Sequence, residues 1–159
     1  SFDLDDTLVL YGDGRPRESC GIPWLLRSWL RDPLRAGSRD LLQRLHDRGI
    51  EIWVYTTSWR SEFSIRVWWR LNRLPPLGGV VNQGRHEQGM RSLGLARPPT
   101  KLPGHWGIDV HFDDSDGVRQ EQATHSVVRI VVISPDDENW TRRVMDAVDQ
   151  ELESRGLRR

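Results

Sequence analysis

Short apolar runs alternate along this chain with stretches whose apolar residues recur every three or four positions. Residues 1–5 read as the end of a strand, and 6–23, rich in Gly, Pro, Asp and Arg, as a loop. Residues 24–31 have helical spacing, with Leu25 and Leu26 four positions before Trp29 and Leu30. Pro33 and Gly37 interrupt the chain. A helix capped by Ser38 then places Leu41, Leu42 and Leu45 on one face and stops at Gly49. Residues 50–55, IEIWVY, read as a buried strand ending in Thr56-Thr57-Ser58. Ser58 is positioned to cap a helix over 60–71 whose stripe is Phe63, Val67 and Leu71. A short strand is expected at Val80-Val81, irregular chain over 82–107, and strands over 108–112 and 127–133. Pro135 and Asp136-Asp137 open a last helix striped by Trp140, Val144, Val148 and Leu152.

This alternation predicts an α/β fold: a doubly wound, mostly parallel sheet with helices on both faces. The whole of 1–159 is expected to form one domain, with about 8–37 as a flap or minimal cap. In such a sheet the polar clusters after three strands, Asp3/Asp5, Thr56 and Asp113/Asp114, fall on one edge and share one crevice.

Composition narrows the function classes. Positive and negative side chains number 23 each, so the chain has no strong global field for nucleic acid. No apolar run approaches membrane-spanning length. Cys20 is the one cysteine, so there is no intrachain disulfide framework, and a cytoplasmic location is expected. Arginine occurs 22 times and lysine once, at Lys101. Lysine is a compact charge on a flexible stem, suited to a tight pocket that holds both a carboxylate and a phosphate oxygen.

FDLDDTL, residues 2–8, carries the candidate chemistry. Asp3 and Asp5 are two positions apart, with Thr7 two further on. In extended backbone such residues share a face. Two carboxylates at one mouth repel, and a hard cation such as Mg²⁺ relieves that cost. One carboxylate can then act as nucleophile and the other as proton carrier. Each piece has a bland alternative, since Asp, Thr and Ser also favour turns, strand ends and caps.

Four pieces, in order, resemble the motifs of the haloacid dehalogenase-like (HAD) hydrolase superfamily in its D-x-D-x-T phosphatase form: DLDDT, Thr56 after IEIWVY, Lys101 in RPPTKLP, and Asp113-Asp114 in IDVHFDDS. The resemblance implies a Mg²⁺-dependent phosphomonoester hydrolase with little or no cap. Asp3 would attack phosphorus, and Asp5 would protonate the leaving oxygen and later activate water. Asp3, the Asp5 carbonyl and Asp114 would hold Mg²⁺. Thr56, with Thr57 as neighbour, and Lys101 would bind phosphoryl oxygens. Thr7 and Asp113 would support the site, Asp113 by pairing with Lys101. Thr57 or Ser58 can replace Thr56 if the strand ends later, and Asp116 competes with Asp113 and Asp114 for the metal. The partner expected is a phosphorylated molecule, of a kind the sequence does not specify. The competing reading is a non-catalytic or regulatory module that keeps the metal and phosphate site. His86, His105 and His111 lack zinc-ligand spacing and read as surface or supporting residues.

Overall fold

The structure is a computed structural model that describes residues 1–19, 32–94, 98–125 and 128–157. The helix expected over 24–31, and Cys20, lie outside the described residues. The elements follow in the order α1 (Ser38–Asp47), β1 (Trp53–Tyr55), α2 (Glu62–Leu71), β2 (Gly79–Val81), α3 (Gln83–Leu93), β3 (Val110–Asp113), α4 (Asp116–His125), β4 (Arg129–Val132) and α5 (Trp140–Ser154). The fold is mixed α/β, with five helices among the described residues and short parallel strand pairs. None of these helices is long and apolar enough to cross a membrane.

β1 pairs in parallel with β2, and β3 with β4. The chain start joins the two pairs. Phe2 bridges Val54 on one side and Phe112 on the other, both in parallel. The Phe2 amide donates to the Trp53 carbonyl at 3.0 Å, and the Asp3 amide to the Phe112 carbonyl at 2.8 Å. Asp3 therefore leaves the middle of this arrangement, beside the ends of β1 and β3. Val54 and Val80 join the large core with Phe2, Leu41, Leu45, Ile65, Phe112 and Val144. Tyr55 and Val81, the next residues along, join a second cluster with Ile108. This alternation is the two-residue period of a strand with apolar packing on both faces.

Several local expectations are corrected. Ser38 does not cap α1; the cap position is Gly37 at φ 84°, with no side-chain bond of its own. Glu18 does that work from the preceding loop, where its Oε1 accepts from the Gly37 and Arg39 amides at 3.0 and 3.3 Å. Gly49 does end the helix: its amide and that of Ile50 reach back to the His46 and Leu45 carbonyls. Ser61, not Ser58, caps α2, accepting from the Ser64 amide. α2 buries Ile65, Trp68 and Trp69, while Phe63 is 77% exposed. The large areas of the two indoles decide which face turns inward. Their N–H groups donate to the Asp32 and Pro75 carbonyls. The stretch expected to be irregular holds α3, capped by Asn82. α4 was likewise unexpected as a full helix. β1, β3 and β4 are shorter than the runs over 50–55, 108–112 and 127–133. The α5 stripe is confirmed, with Trp140, Val144 and Val148 buried and Leu152 packed against them.

Gly79 faces Trp53 in the β1–β2 register. A Cβ built on Gly79 would lie 2.3 Å from a ring carbon of Trp53. Gly79→Ala is therefore expected to cost about 1–3 kcal/mol, from overpacking. Urea denaturation reads this directly, and a loss under about 0.5 kcal/mol would mean that the indole swings aside freely.

Candidate functional site

Three side chains from distant parts of the sequence meet at Lys101. Its Nζ donates to Asp3 Oδ1 at 2.7 Å and to Asp113 Oδ2 at 2.5 Å. All three are nearly inaccessible to solvent. Local structure brings each of them there. Asp3 continues the strand-like start beyond Phe2. Asp113 is the last residue of β3, and its Oδ1 takes the Ser115 amide at 2.8 Å as the chain turns into α4. Lys101 sits on the loop that precedes a 3₁₀ turn over Pro103–Trp106.

Beneath this triad lies His111, which is fully buried. Its Nε2 is 3.0 Å from Asp113 Oδ2 and its Nδ1 is 2.8 Å from Ser1 Oγ. A carboxylate only accepts, so Nε2 carries the proton and Nδ1 accepts from the serine hydroxyl. Burial, followed by the Lys101 charge, lowers the His111 pKa to about 3, so the imidazole is neutral.

The electrostatics separate the two carboxylates. Burial pushes Asp3 up to about 6; Lys101 opposes that rise and Asp113 adds to it. Burial would raise Asp113 as well, but the hydrogen bond from His111 and the Lys101 charge hold it well below the usual carboxylate range. Asp113 is thus a permanent anion that anchors the ammonium, and Asp3 is the costly charge of the pair.

Asp5 faces another way. Arg60 Nη1 contacts both of its oxygens at 2.9 Å, and the Tyr11 hydroxyl donates to Oδ1 at 2.5 Å. Arg60 also bonds Ser58 and the Tyr11 hydroxyl and pairs with Asp32 at 3.2 Å. The turn that carries Asp5 is tight: the Leu8 and Val9 amides return to the Leu4 carbonyl, and Asp6 adopts φ 55°. Thr7 is fully buried and its hydroxyl has no partner among the described residues. Thr7 touches none of the carboxylates through a hydrogen bond; its carbonyl accepts from Arg35 at 3.4 Å.

Thr56 follows β1, beside the Asp3 segment. It is buried, its amide donates to the Val81 carbonyl, and its Oγ1 accepts from the Ser58 amide at 3.1 Å. That bond leaves the hydroxyl proton for a ligand oxygen. Thr57 is exposed and lines a cavity of about 520 Å³ with Gln83, His86, Glu87 and Thr100. Asp114 is half-buried and forms no ion pair among the described residues. Burial and the neighbouring Asp113 raise its pKa. Asp116 is drawn off to the surface of α4, where Arg119 pairs with it at 2.7 Å.

No three His, Cys, Asp or Glu side chains among the described residues form a ready metal-binding group. Mg²⁺ needs less, because it usually keeps several waters and takes one or two carboxylates. Asp3 and Asp114 are the carboxylates that could meet that demand, and burial is the main cause of the raised pKa of each.

Sequence reasoning placed Asp3, Lys101 and Asp113 together. It assigned no role to Arg60, Tyr11 or Tyr55, and it read His111 only as a surface or supporting residue. The available signal for His111 was its position two residues before Asp113, on the same side of a strand. Comparisons of the chain with family models, with curated proteins and with solved structures find no match in any of the three.

Proposed function

We propose that this protein is a Mg²⁺-dependent phosphomonoester hydrolase that works through an aspartyl-phosphate on Asp3. The observation that carries the reading is the single buried ammonium of Lys101, bonded at once to Asp3 and Asp113. A lysine held between two carboxylates is a charge kept in place for an anion. The spatial order β2, β1, the Ser1–Asp3 segment, β3, β4 also supports a doubly wound HAD-like sheet, with the site at its carboxyl edge.

Asp3 Oδ attacks phosphorus while the ester P–O bond breaks, so the phosphoryl group passes to the carboxylate. Lys101 and the Thr56 hydroxyl meet the phosphoryl oxygens, and Asp113 keeps the lysine aimed. Asp5 gives a proton to the departing oxygen and takes one from the water that next attacks phosphorus, which frees Asp3 and releases phosphate. To donate, Asp5 must first be protonated, and its contacts with Arg60 must loosen. Asp3, Asp114 and the Asp5 carbonyl would hold Mg²⁺, which would offset the charge brought together by carboxylates and phosphate. A cytoplasmic setting belongs to the same reading, given the single cysteine.

One observation favours a second reading, a binding or regulatory module. Arg60 and Tyr11 occupy the carboxylate that the reaction needs. Hydrolysis of an aryl phosphate with and without Mg²⁺ separates the two. The phosphatase reading expects Mg²⁺-dependent turnover that Asp3→Asn lowers by about 10⁴-fold or more. Turnover that survives Asp3→Asn rules out the mechanism. Mg²⁺ binding without turnover supports the module.

A further inference from the structure

Tyr55 closes β1 and is fully buried, yet the chemistry above does not use it. Its hydroxyl lies between two partners. The Leu102 amide donates to it at 2.8 Å, and His86 Nδ1 stands 2.7 Å away. An amide only donates, so the hydroxyl proton goes to His86. Burial lowers the His86 pKa and so favours the neutral ring, which can accept at Nδ1. On its other side His86 lines the same cavity as Pro98, Pro99 and Thr100. The pair thus holds the chain at Leu102, the residue after Lys101, and faces it at Pro99, two residues before.

The segment has no regular structure of its own to hold it in place. Residues 98–102 form no helix or strand, and Pro98 and Pro99 have no amide to donate. Thr100 is tied outward, to Glu121. Lys101 has a four-carbon stem, so the position of its backbone decides whether Nζ reaches both carboxylates. The ring of Tyr55 lies under that stem, with Nζ 5.9 Å from its centre. Two buried polar groups cost stability unless fully paired, and apolar residues would fill the same space. Their pairing here is spent on one loop.

We propose that Tyr55 and His86 are positioning residues that clamp the 99–102 segment and so set the reach of Lys101. This rests on the site reading above, and its test separates the two. Amide exchange is followed by NMR in the parent protein, Tyr55→Phe and His86→Asn, with kcat and KM for an aryl phosphate measured beside it. Tyr55→Phe keeps the ring and removes only the hydroxyl; His86→Asn keeps a polar acceptor but shortens the side chain that meets the Tyr55 hydroxyl. The clamp expects exchange at both Leu102 and Thr100 to quicken by about tenfold or more, while the Tyr55-position and Phe112 amides hold theirs. It also expects kcat to fall about tenfold with a smaller change in KM, and no further loss when Tyr55→Phe is added to Lys101→Met.

Faster exchange at Leu102 alone, with Thr100 unchanged, overturns the clamp, because a lost bond then frees one amide and not the segment. Full additivity with Lys101→Met overturns it too. If Tyr55→Phe fails to fold, His86→Asn decides by the same amides. If the parent shows no turnover, the phosphatase reading fails, and exchange at Thr100 still judges the clamp.

Discussion

Lys101→Met is expected to destabilise the protein by about 3–5 kcal/mol at neutral pH, because it leaves two buried carboxylates with no cation. Asp3 and Asp113 both rest on this one ammonium, at 2.7 and 2.5 Å. Methionine has nearly the shape of lysine, so the loss reports charge and not volume. The sign of its pH dependence follows. With the ammonium gone, both carboxyls are pushed toward the protonated form, so part of the loss is recovered as pH falls from about 7 to about 4. Urea denaturation at the two pH values measures this. The catalytic cost is expected at about 10²–10³-fold in kcat, the usual scale for removing one charge-stabilising donor. A stability loss under about 1 kcal/mol would mean that water reaches these carboxylates and that the triad does not organise the site.

Asp3→Asn works in the opposite direction on stability. The folded-state pKa of Asp3 is raised to about 6 by burial, against an unfolded value near 3.8. The folded protein therefore holds this proton more tightly than the unfolded chain. Stability from that source is complete below the unfolded pKa and is lost as pH rises through about 6. Asparagine is uncharged at every pH. The variant should match the parent near pH 4 and exceed it by about 2–3 kcal/mol near pH 8, without Mg²⁺. The difference between the two proteins cancels the slope from His111, whose lowered pKa acts in the opposite sense over an overlapping range. Adding Mg²⁺ should close the gap by stabilising the parent alone. A parent more stable than the variant at pH 8 would mean that the Lys101 contact outweighs burial at Asp3.

The fold was legible where side chains announce their own geometry. The α5 stripe and the position of β2 follow from apolar spacing and run length. α3 was hidden because Gly84 and Gly89 weaken its helical pattern. Gly89 is needed for packing: a Cβ there would meet the Trp106 ring at 2.8 Å. The inner face of α2 was misread because regular spacing pointed to Phe63, while the buried area lies in Trp68 and Trp69. The α1 cap was invisible to local reasoning, since Glu18 reaches it from 19 positions earlier in the chain. At the site, residue type and order along the chain marked Asp3, Lys101 and Asp113: a lone lysine precedes one acidic pair and follows another. Arg60 and His111 act only through contacts made by folding, and one arginine among 22 carries no mark of its own.

The same lone lysine makes the site chemically addressable. With every other basic side chain a guanidinium or an imidazole, Lys101 is the one side-chain amine that an acylating reagent could find. In the folded chain it is shielded, at 2% exposure. The pace at which such a reagent labels that position therefore clocks how often this pocket opens, with no tag or engineered probe.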